Sequence, residues 1–442
     1  MILIDGIVEE EAMALGRVGG LRLATAERRQ VEWQMACLDE LVAYDHRVRH
    51  VWAYVEGLDL SELYGEIGSK IGEPGRPAID PALLVALWLY ATLEDVGSAR
   101  HLARLCERDV TYRWILGGVS VGHKTLSDFR VAAGSVLDKL LSGSVAAMIS
   151  TGVVDLGCVA VDSVRVRASA GAGSFRRKHR LAELNELATA KVAALRAELD
   201  SDPAASDRRG RARRQQAAED RQRRVEQAQQ ALAEIEAGHA VAAKKQRRKK
   251  PANRHEPRAS TSDPQARIIR MPDGGLRPGF NIQVKTEVQR GLIVGLSVGN
   301  NASDRGRLGP AVAEIAGRYD QRPKQLLADS GYDSKADIEA VYRPENGSVE
   351  VFCPLPCDKQ GNPRPPRPKD GPGALAWYRR MMIDEGAAMY HRRFATERPH
   401  ADMRNRGLIR VMVRGIDKVK AVVLWHVHAY NFLTISRLLR PV

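Results

Sequence analysis

In the segment CVAVDSVRV, Cys158 to Val166, β-branched valine alternates with other residues. A period of two with β-branched residues predicts a β-strand. The alternation returns in FNIQVKTEV, residues 280–288, and GLIVGLSV, residues 291–298, is predicted to be a third strand after Gln289 and Arg290. The three segments therefore predict a β-meander whose second and third strands form a hairpin.

Helical and strand patterns alternate further along the chain. A helix is predicted over residues 303–318 and another from Ser334, because apolar residues recur there at helical spacing. The short apolar segments KQLLAD, residues 324–329, and VEVFC, residues 349–353, are typical of buried strands. The order β-β-β-α-β-α-β-α predicts an α/β fold in which helices flank a mixed five-stranded sheet.

The chain before this sheet, residues 1–150, is predicted to form an all-α N-terminal domain. PALLVALWLYATL, residues 81–93, begins with proline at a helix start, Ser98 caps a second helix, and Thr125 or Ser127 caps a third. Short helices joined by short turns are typical of helix-turn-helix units that bind DNA, and dimerisation is the alternative function. The candidate DNA contacts of this domain are Arg100, Arg104, Lys124 and Arg130.

A basic segment, residues 176–260, interrupts the sheet domain. It contains 22 Lys and Arg against 12 Asp and Glu, and no aromatic residue, Cys or Met, so it cannot build a core of its own. Apolar residues at steps of three and four on both sides of DSDPAASDRRG, residues 200–210, predict an antiparallel helical hairpin. We interpret it as an insertion that divides the sheet domain into residues 151–175 and 261–442. The hairpin ends in KKQRRKK, whose candidate DNA contacts are Lys244, Lys245, Arg247 and Arg248.

Composition restricts the classes of partner and compartment. The 442 residues carry 68 Lys and Arg against 54 Asp and Glu, a formal net charge of +14 at pH 7, so a nucleic acid is the first candidate partner.

The longest apolar segment, residues 81–93, is shorter than the roughly 20 residues that a membrane span needs. The first residues, MILIDGIVEEEA, lack the pattern of a signal peptide, so we expect a cytoplasmic protein. The five scattered cysteines are expected to be reduced thiols.

Two aspartates stand where an apolar strand should continue. Asp162 interrupts the first strand, and Asp329 closes the strand KQLLAD immediately before Ser330-Gly331-Tyr332. A buried carboxylate is costly unless a cation or a metal compensates its charge. Carboxylate oxygens are ligands that Mg²⁺ prefers, so the pair predicts a magnesium site of the kind that supports phosphoryl displacement.

A third group of candidate residues lies in YHRRFATERPHADMR, residues 390–404. Tyr390, Arg393, Glu397 and Arg404 are spaced by three, four and seven residues, which predicts one shared helix face. We expect Glu397 to complete the metal shell. Tyr390, Arg393 and Arg404 are expected to contact DNA phosphates. Proline at position 399 predicts a kink near Glu397. Glu385 is the rival acid, but it lies twelve residues before Glu397 on the same predicted helix, too far away to share a metal with it.

These segments resemble bacterial insertion-sequence transposases of the DDE type. Residues 88–118 and 123–130 resemble the InsH-like N-terminal domain of that family, and AVDSVRVRA, residues 160–168, resembles its first catalytic strand. Residues 279–308 and LLADSGYDS, residues 326–334, resemble the strands that follow and the second aspartate. The family's Y-x2-R-x3-E-x6-K signature corresponds here to Tyr390, Arg393, Glu397 and Arg404.

The resemblance implies an RNase H-like catalytic domain. Asp162, Asp329 and Glu397 would be its catalytic and metal-binding residues, with Asp162 bridging two Mg²⁺ ions, for which Mn²⁺ could substitute. Such an enzyme binds the terminal inverted repeats of its element, hydrolyses a phosphodiester and transfers the freed 3′ end to target DNA. The implied partner is double-stranded DNA, bound by a homodimer in a bacterial cytoplasm in association with the nucleoid.

This sequence departs from the family pattern in two places. Arg404 replaces the final lysine, and Arg398-Pro399-His400-Ala401 replaces the apolar and glycine residues common after the acid. Two alternative functions share most of these features. A site-specific nuclease or resolvase would use the same three acids without capturing a target, and a non-enzymatic DNA-binding protein derived from a transposase would not use them.

Overall fold

A computed structural model describes residues 35–69, 74, 77–201, 208–245, 256–342 and 348–438. The chain divides into two compact units, Met1–Leu41 and Val42–Val442, and the helices and strands of the described residues belong to the second unit. No single described helix is long and apolar enough to cross a membrane, and one bent pair, His123–Ala132 with Gly134–Ser150, passes that test by length and composition only.

Within the described residues, the region before the first strand is helical, as predicted. Ser98 caps a helix as expected, but the predicted cap at Thr125 or Ser127 is wrong, because that helix begins at His123 directly after Gly122. The described helices of this region are α1 (Arg47–Glu56), α2 (Ser61–Gly65), α3 (Pro81–Leu93), α4 (Ala99–Arg108), α5 (Val110–Leu116), α6 (His123–Ala132) and α7 (Gly134–Ser150).

The central sheet contains the five predicted strands and a sixth, short strand. Its strands are β1 (Cys158–Arg167), β4 (Arg267–Arg270), β5 (Leu276–Glu287), β6 (Ile293–Gly299), β7 (Gln325–Ala328) and β8 (Glu350–Phe352). The order is β4-β5-β1-β7-β8, with β6 paired to β5. β5 is antiparallel to β1, β4 and β6, whereas β7 is parallel to both β1 and β8, so the sheet is mixed.

The additional strand, β4, precedes a tight turn that the sequence pattern did not reveal. Gly274 has a φ of +79°, which favours glycine, and Asp273 accepts a 3.0 Å hydrogen bond from the Gly275 amide. Four residues, RIIR, are too short to display a period of two, so strand β4 was missed.

The basic segment forms the predicted helical hairpin. It consists of α8 (Lys178–Ser201) and α9 (Arg208–Lys245), and ion pairs between Lys178 and Glu236 and between Arg196 and Glu219 reflect the antiparallel arrangement. At its base, β2 (Phe175–Arg176) pairs with β3 (Ala259–Ser260), which brings the two ends of the insertion together.

The remaining helices surround the sheet or connect it to the N-terminal helices. They are α10 (Leu308–Tyr319), α11 (Lys335–Val341), α12 (Pro372–Met381), α13 (Asp384–His391), α14 (Glu397–Asn405) and α15 (Ile416–Leu438). Helix α15 packs against the N-terminal helices. Its Trp425 Nε1 donates to the Arg130 carbonyl at 3.0 Å, and its His428 Nε2 lies 2.8 Å from the Leu137 carbonyl oxygen. The N-terminal helices and the sheet therefore share one hydrophobic core.

The prediction of one continuous helix through Glu385, Tyr390 and Glu397 is wrong. Helix α13 ends at His391, a 3₁₀ segment occupies Arg392–Thr396, and α14 begins at Glu397. Pro399 lies in the first turn of α14, where its missing amide is tolerated, but its ring would clash with the carbonyl of residue 395 in a continuous α-helix. The predicted kink near the acid is therefore present as a break.

Candidate active site

Asp162 and Asp329 lie side by side on neighbouring parallel strands. Val161 of β1 and Ala328 of β7 are the last register partners, and each aspartate is the next residue along its strand. Neighbouring strands lie about 4.8 Å apart, so the two aspartates are neighbours at the carboxyl end of β7. The two predicted strands that carry these aspartates are therefore neighbours in the sheet.

The Asp162 carboxylate is half-buried and accepts three hydrogen bonds. Its Oδ1 accepts from the Ser163 amide at 2.7 Å, and its Oδ2 accepts from Arg393 Nη1 at 2.9 Å and from Thr396 Oγ1 at 3.2 Å. Burial nevertheless raises the pKa of Asp162, against the opposing effects of the Ser163 amide and the Arg393 guanidinium.

Asp329 lacks a directly bonded cation within the described residues. It caps the 3₁₀ segment Ser330–Tyr332, where its Oδ1 accepts from the Gly331 amide at 2.8 Å. Burial raises its pKa, and the negative charge of Asp162 raises it further. Two neighbouring carboxylates that both resist ionisation indicate a place where positive charge is undersupplied.

A third aspartate, Asp304, lies beside this pair and was missed by the sequence reasoning. Its Oδ1 accepts hydrogen bonds from Asn281 at 2.8 Å and Gln283 at 2.7 Å, and its Oδ2 accepts from Ser163 Oγ at 3.1 Å. Its charge contributes to the raised pKa values of both catalytic candidates. The available signal was on β5, where Asn281 and Gln283 are polar residues on a strand that is buried almost throughout.

Glycine at position 331 leaves room for these acids. A Cβ atom there would lie 2.9 Å from Asp329 Oδ1 and 3.4 Å from Asp304 Oδ2. The first distance is shorter than a Cβ tolerates, so a side chain would force the Asp329 carboxylate to move. The glycine after the strand is thus a spatial requirement of the acidic cluster.

Arg393 links Asp162 to Glu397. Its guanidinium bonds Asp162 through Nη1, and its Nη2 lies 4.0 Å from Glu397 Oε1. The guanidinium also lies over the Tyr390 ring, 5.8 Å from the ring centroid. Glu397 itself is 58% exposed. The structure therefore brings Tyr390, Arg393 and Glu397 to the Asp162 edge despite the break in the helix.

Arg404 lies in a separate, basic recess that also contains two arginines of β1. Together with Arg165 and Arg167 it lines a cavity of about 220 Å³. The two β1 arginines were missed as candidates, although they stand at alternate positions of the strand that carries Asp162. Asp273 lines the same recess and pairs with Arg167 at 3.4 Å, and the remaining excess of positive charge is suited to an anionic ligand.

Asp162, Asp329 and Glu397 are the candidate ligands of a divalent cation. Within the described ranges, no three His, Cys, Asp or Glu side chains form a ready metal cage. Asp162 and Asp329 nevertheless fit such an ion, because both are oxygen donors, both are partly desolvated, and the charge of Asp162 raises the pKa of Asp329. Glu397 is close enough to share Arg393 with Asp162 and is the remaining acidic donor.

The candidate DNA contacts divide into exposed and buried residues. Arg100, Arg104 and Lys124 are exposed on α4 and α6. Arg130, in contrast, is buried, lies 4.8 Å from the Trp88 ring centroid and donates to the Gly97 carbonyl, so it is a packing residue here rather than a surface cation. Lys244 and Lys245 end α9, and Arg247 and Arg248 lie outside the described residues.

Two family models match this chain. A transposase domain matches residues 36–132, and a transposase DDE domain matches residues 255–432, which include Asp329 and Glu397 but begin after Asp162. Comparisons with curated proteins and with solved structures gave no match. The mixed sheet flanked by helices is compatible with an RNase H-like fold. It includes β1, the strand that carries Asp162 and that precedes the matched DDE domain in the chain. The chain belongs to the insertion-sequence transposases of the DDE type.

Proposed function

We propose that this transposase cleaves DNA at the ends of its element in a divalent-metal-dependent reaction and joins the freed 3′ ends to target DNA. The single observation that carries this proposal is the pair Asp162 and Asp329, adjacent on parallel strands and both with raised pKa values. Asp162, Asp329 and Glu397 would hold the metal, two Mg²⁺ ions with Mn²⁺ as a substitute. A bound cation would supply Lewis-acid activation of the phosphate and of the attacking oxygen.

The chain's own residues have distinct tasks in this reaction. Arg393 orients Asp162 and Glu397 through its two terminal nitrogens, and the Tyr390 ring supports the guanidinium from one side. Ser163 connects Asp162 to Asp304, because its amide bonds the former and its hydroxyl bonds the latter. These contacts reduce the freedom of the reacting carboxylates before DNA arrives, which lowers the cost of ordering them.

We propose that the DNA phosphates lie in the recess beside these acids. Arg165, Arg167 and Arg404 line it, and β1 connects it directly to Asp162. The planar fork of Arg404 can bind a phosphate through two parallel hydrogen bonds, which the lysine of the family signature cannot do.

The other segments would bind DNA away from the reacting bond. Residues 1–150 form the proposed end-binding domain, in which Arg100, Arg104 and Lys124 are available on the surface. Residues 151–175 and 261–442 form the proposed catalytic domain, and residues 176–260 the basic insertion. The active species is a homodimer on DNA, acting on the chromosome in the bacterial cytoplasm.

Asp162→Asn tests the proposal because it removes one negative charge and changes the side chain little. We expect it to abolish Mg²⁺-dependent cleavage of a duplex that carries the element's ends, while binding of that duplex stays nearly unchanged. Asp155→Asn is the matched control, since Asp155 is an exposed turn residue just before the same strand. Metal-dependent cleavage by purified Asp162→Asn would contradict the proposal, and loss of both activities in the control would indicate general damage.

A further inference from the structure

A second basic groove lies beside Asp329, and no step above uses it. It has a volume of about 420 Å³ and lies between α12 and the irregular segment that follows β8, the neighbour of β7 on the side away from β1. Pro356 of that segment and Asp333, four residues after Asp329, line it. Cys353 Sγ, directly after β8, donates to the Asp329 carbonyl at 3.0 Å and so joins the segment to the strand of the catalytic acid. The groove is separate from the recess that Arg404 lines.

Positive charge dominates the lining of this groove. Its cationic lining residues are Arg305, Lys335, Arg364 and Arg367. Asp333 is the one acid among the described lining residues, and Arg305 Nη2 pairs with it at 2.7 Å. Asp370 lies beside the groove, where its carboxylate accepts from the Lys335 ammonium and from the Arg367 amide. When these two acids are set against the four cations, an excess of two positive charges remains.

Arg364 and Arg367 carry this excess. Both are exposed, and neither guanidinium forms an ion pair or a hydrogen bond within the part of the chain that the structure describes. They alternate with prolines in NPRPPRPKD, residues 362–370. Proline fixes φ, and the polyproline II conformation has three residues per turn, so residues three apart lie on the same side of the chain. The Arg364 amide also donates to the Pro356 carbonyl at 2.9 Å. The segment therefore presents both side chains to the groove and loses little backbone freedom when a ligand binds.

We propose that this groove binds phosphates of the DNA strand that passes Asp329. Arg364 and Arg367 have no protein partner for their guanidinium groups, and each can bind a phosphate through two parallel hydrogen bonds. Tyr378 lines the groove beside them and is half-buried, and cations next to an aromatic surface are typical of grooves that hold a nucleic-acid strand. This inference rests on the proposed function and extends it to the path of the DNA. The DNA then contacts two basic surfaces, the recess that Arg404 lines and this groove.

The salt dependence of DNA binding by the full chain tests this assignment without measuring activity. The affinity for a duplex that carries the element's ends is measured over a range of salt concentrations without a divalent metal, so that no cleavage interferes. A variant with Arg364→Gln and Arg367→Gln should reduce the slope of log affinity against log salt by about 0.9 for each lost phosphate contact. Lys359→Gln with Lys369→Gln is the matched control, because both lysines are exposed in the same segment but do not line the groove. This control removes the same charge and should change the slope much less.

A charge-conserving variant separates phosphate binding from the shape of the segment. Arg364→Lys with Arg367→Lys keeps both charges, so the slope should stay near that of the wild type. Equal flattening in the arginine and lysine pairs of Gln variants would overturn the groove, because it would reflect the charge of the whole segment. An unchanged slope in the Arg-to-Gln variant, with cleavage that still depends on Asp162, would overturn the groove and leave the proposed function intact. Failure of the wild type to bind the duplex at all would overturn both.

Discussion

Asp329 illustrates, at the scale of a single residue, how a catalytic position costs stability. Its carboxylate is partly buried, faces the charge of Asp162 and has no bonded cation within the described residues. Its folded-state pKa is raised, so the folded state loses stability as pH rises from the ordinary value near 3.8 through that raised pKa. The penalty is fully present at neutral pH and absent in acid.

We therefore predict that Asp329→Asn stabilises the protein while it abolishes cleavage. The amide oxygen can still accept from the Gly331 amide, so the gain at pH 7 should be on the order of 1 kcal/mol. Denaturant unfolding at pH 7 and at pH 3.5 measures it, and the gain should shrink at the lower pH. Asp155→Asn serves as the exposed control. A loss of stability at pH 7 would show that the folded protein stabilises the Asp329 charge and would contradict this explanation.

At the scale of elements, the break before Glu397 controls the geometry of the site. The 3₁₀ segment Arg392–Thr396 carries both groups that bond Asp162 Oδ2, namely Arg393 and Thr396. Pro399 prevents this segment from continuing into α14 as a regular α-helix. The proline thus positions two side chains that lie three and six residues before it.

Pro399→Ala should join α13 and α14 more regularly and move Arg393 away from Asp162. We predict an equal or higher helical signal in circular dichroism together with a reduction in cleavage of roughly tenfold or more, because small displacements of orienting residues carry large costs. Arg398→Ala is the control, because Arg398 is an exposed neighbour in the same helix. Unchanged cleavage with a more helical spectrum would show that the break does not position the site.

The elements also show which features sequence reasoning could reach. Strand β5 was predictable because a period of two extends over residues 280–288, and strands β1 and β6 because valine and isoleucine recur in them. Asp162 and Asp329 were visible as charges in apolar strands. Asp304 was not, because it lies in a loop before α10 and resembles an ordinary turn residue. Tyr390, Arg393 and Glu397 lie together although no regular helix joins them, whereas Arg404 lines a separate recess, because a spacing rule assumes the regular helix that the 3₁₀ segment interrupts.

At the scale of the whole molecule, a chain of charges connects the sheet to the N-terminal helices. Asp138 of α7 accepts from Arg318 of α10 at 2.6 Å and from Lys420 of α15 at 2.7 Å. Arg318 also pairs with Glu314, which bonds the buried Lys285 of β5. Although burial raises the pKa of Asp138, its bonds to Lys420 and Arg318 lower the pKa overall.

Asp138→Asn should therefore destabilise the protein by about 2 kcal/mol at pH 7, because it removes the carboxylate that Lys420 and Arg318 share and leaves Arg318, which is 14% exposed, with Glu314 alone. A lowered folded-state pKa stabilises above the ordinary pKa near 3.8 and loses that effect as pH falls through the folded value. The difference between variant and wild type should accordingly diminish below pH 4. Thermal unfolding across this range checks it, and Asp128→Asn, an exposed residue of α6, is the control. An equal difference at pH 3 and pH 7 would contradict the charge-based explanation.

The basic hairpin offers a prediction about how the whole molecule holds DNA. Because β2 and β3 pair at its base, residues 178–255 can be replaced by a short Gly-Ser linker that bridges neighbouring chain ends. If the hairpin contacts phosphates, each lost contact should reduce the slope of log affinity against log salt by about 0.9.

A second variant, with Lys244, Lys245, Arg247 and Arg248 changed to Gln, keeps both helices and removes four charges. Flattening in both variants supports phosphate contact through the basic run. An unchanged slope with conversion of a dimer to a monomer in the deletion alone would instead identify α8 and α9 as a dimerisation arm, and no change in slope or oligomeric state would reduce the hairpin to a spacer.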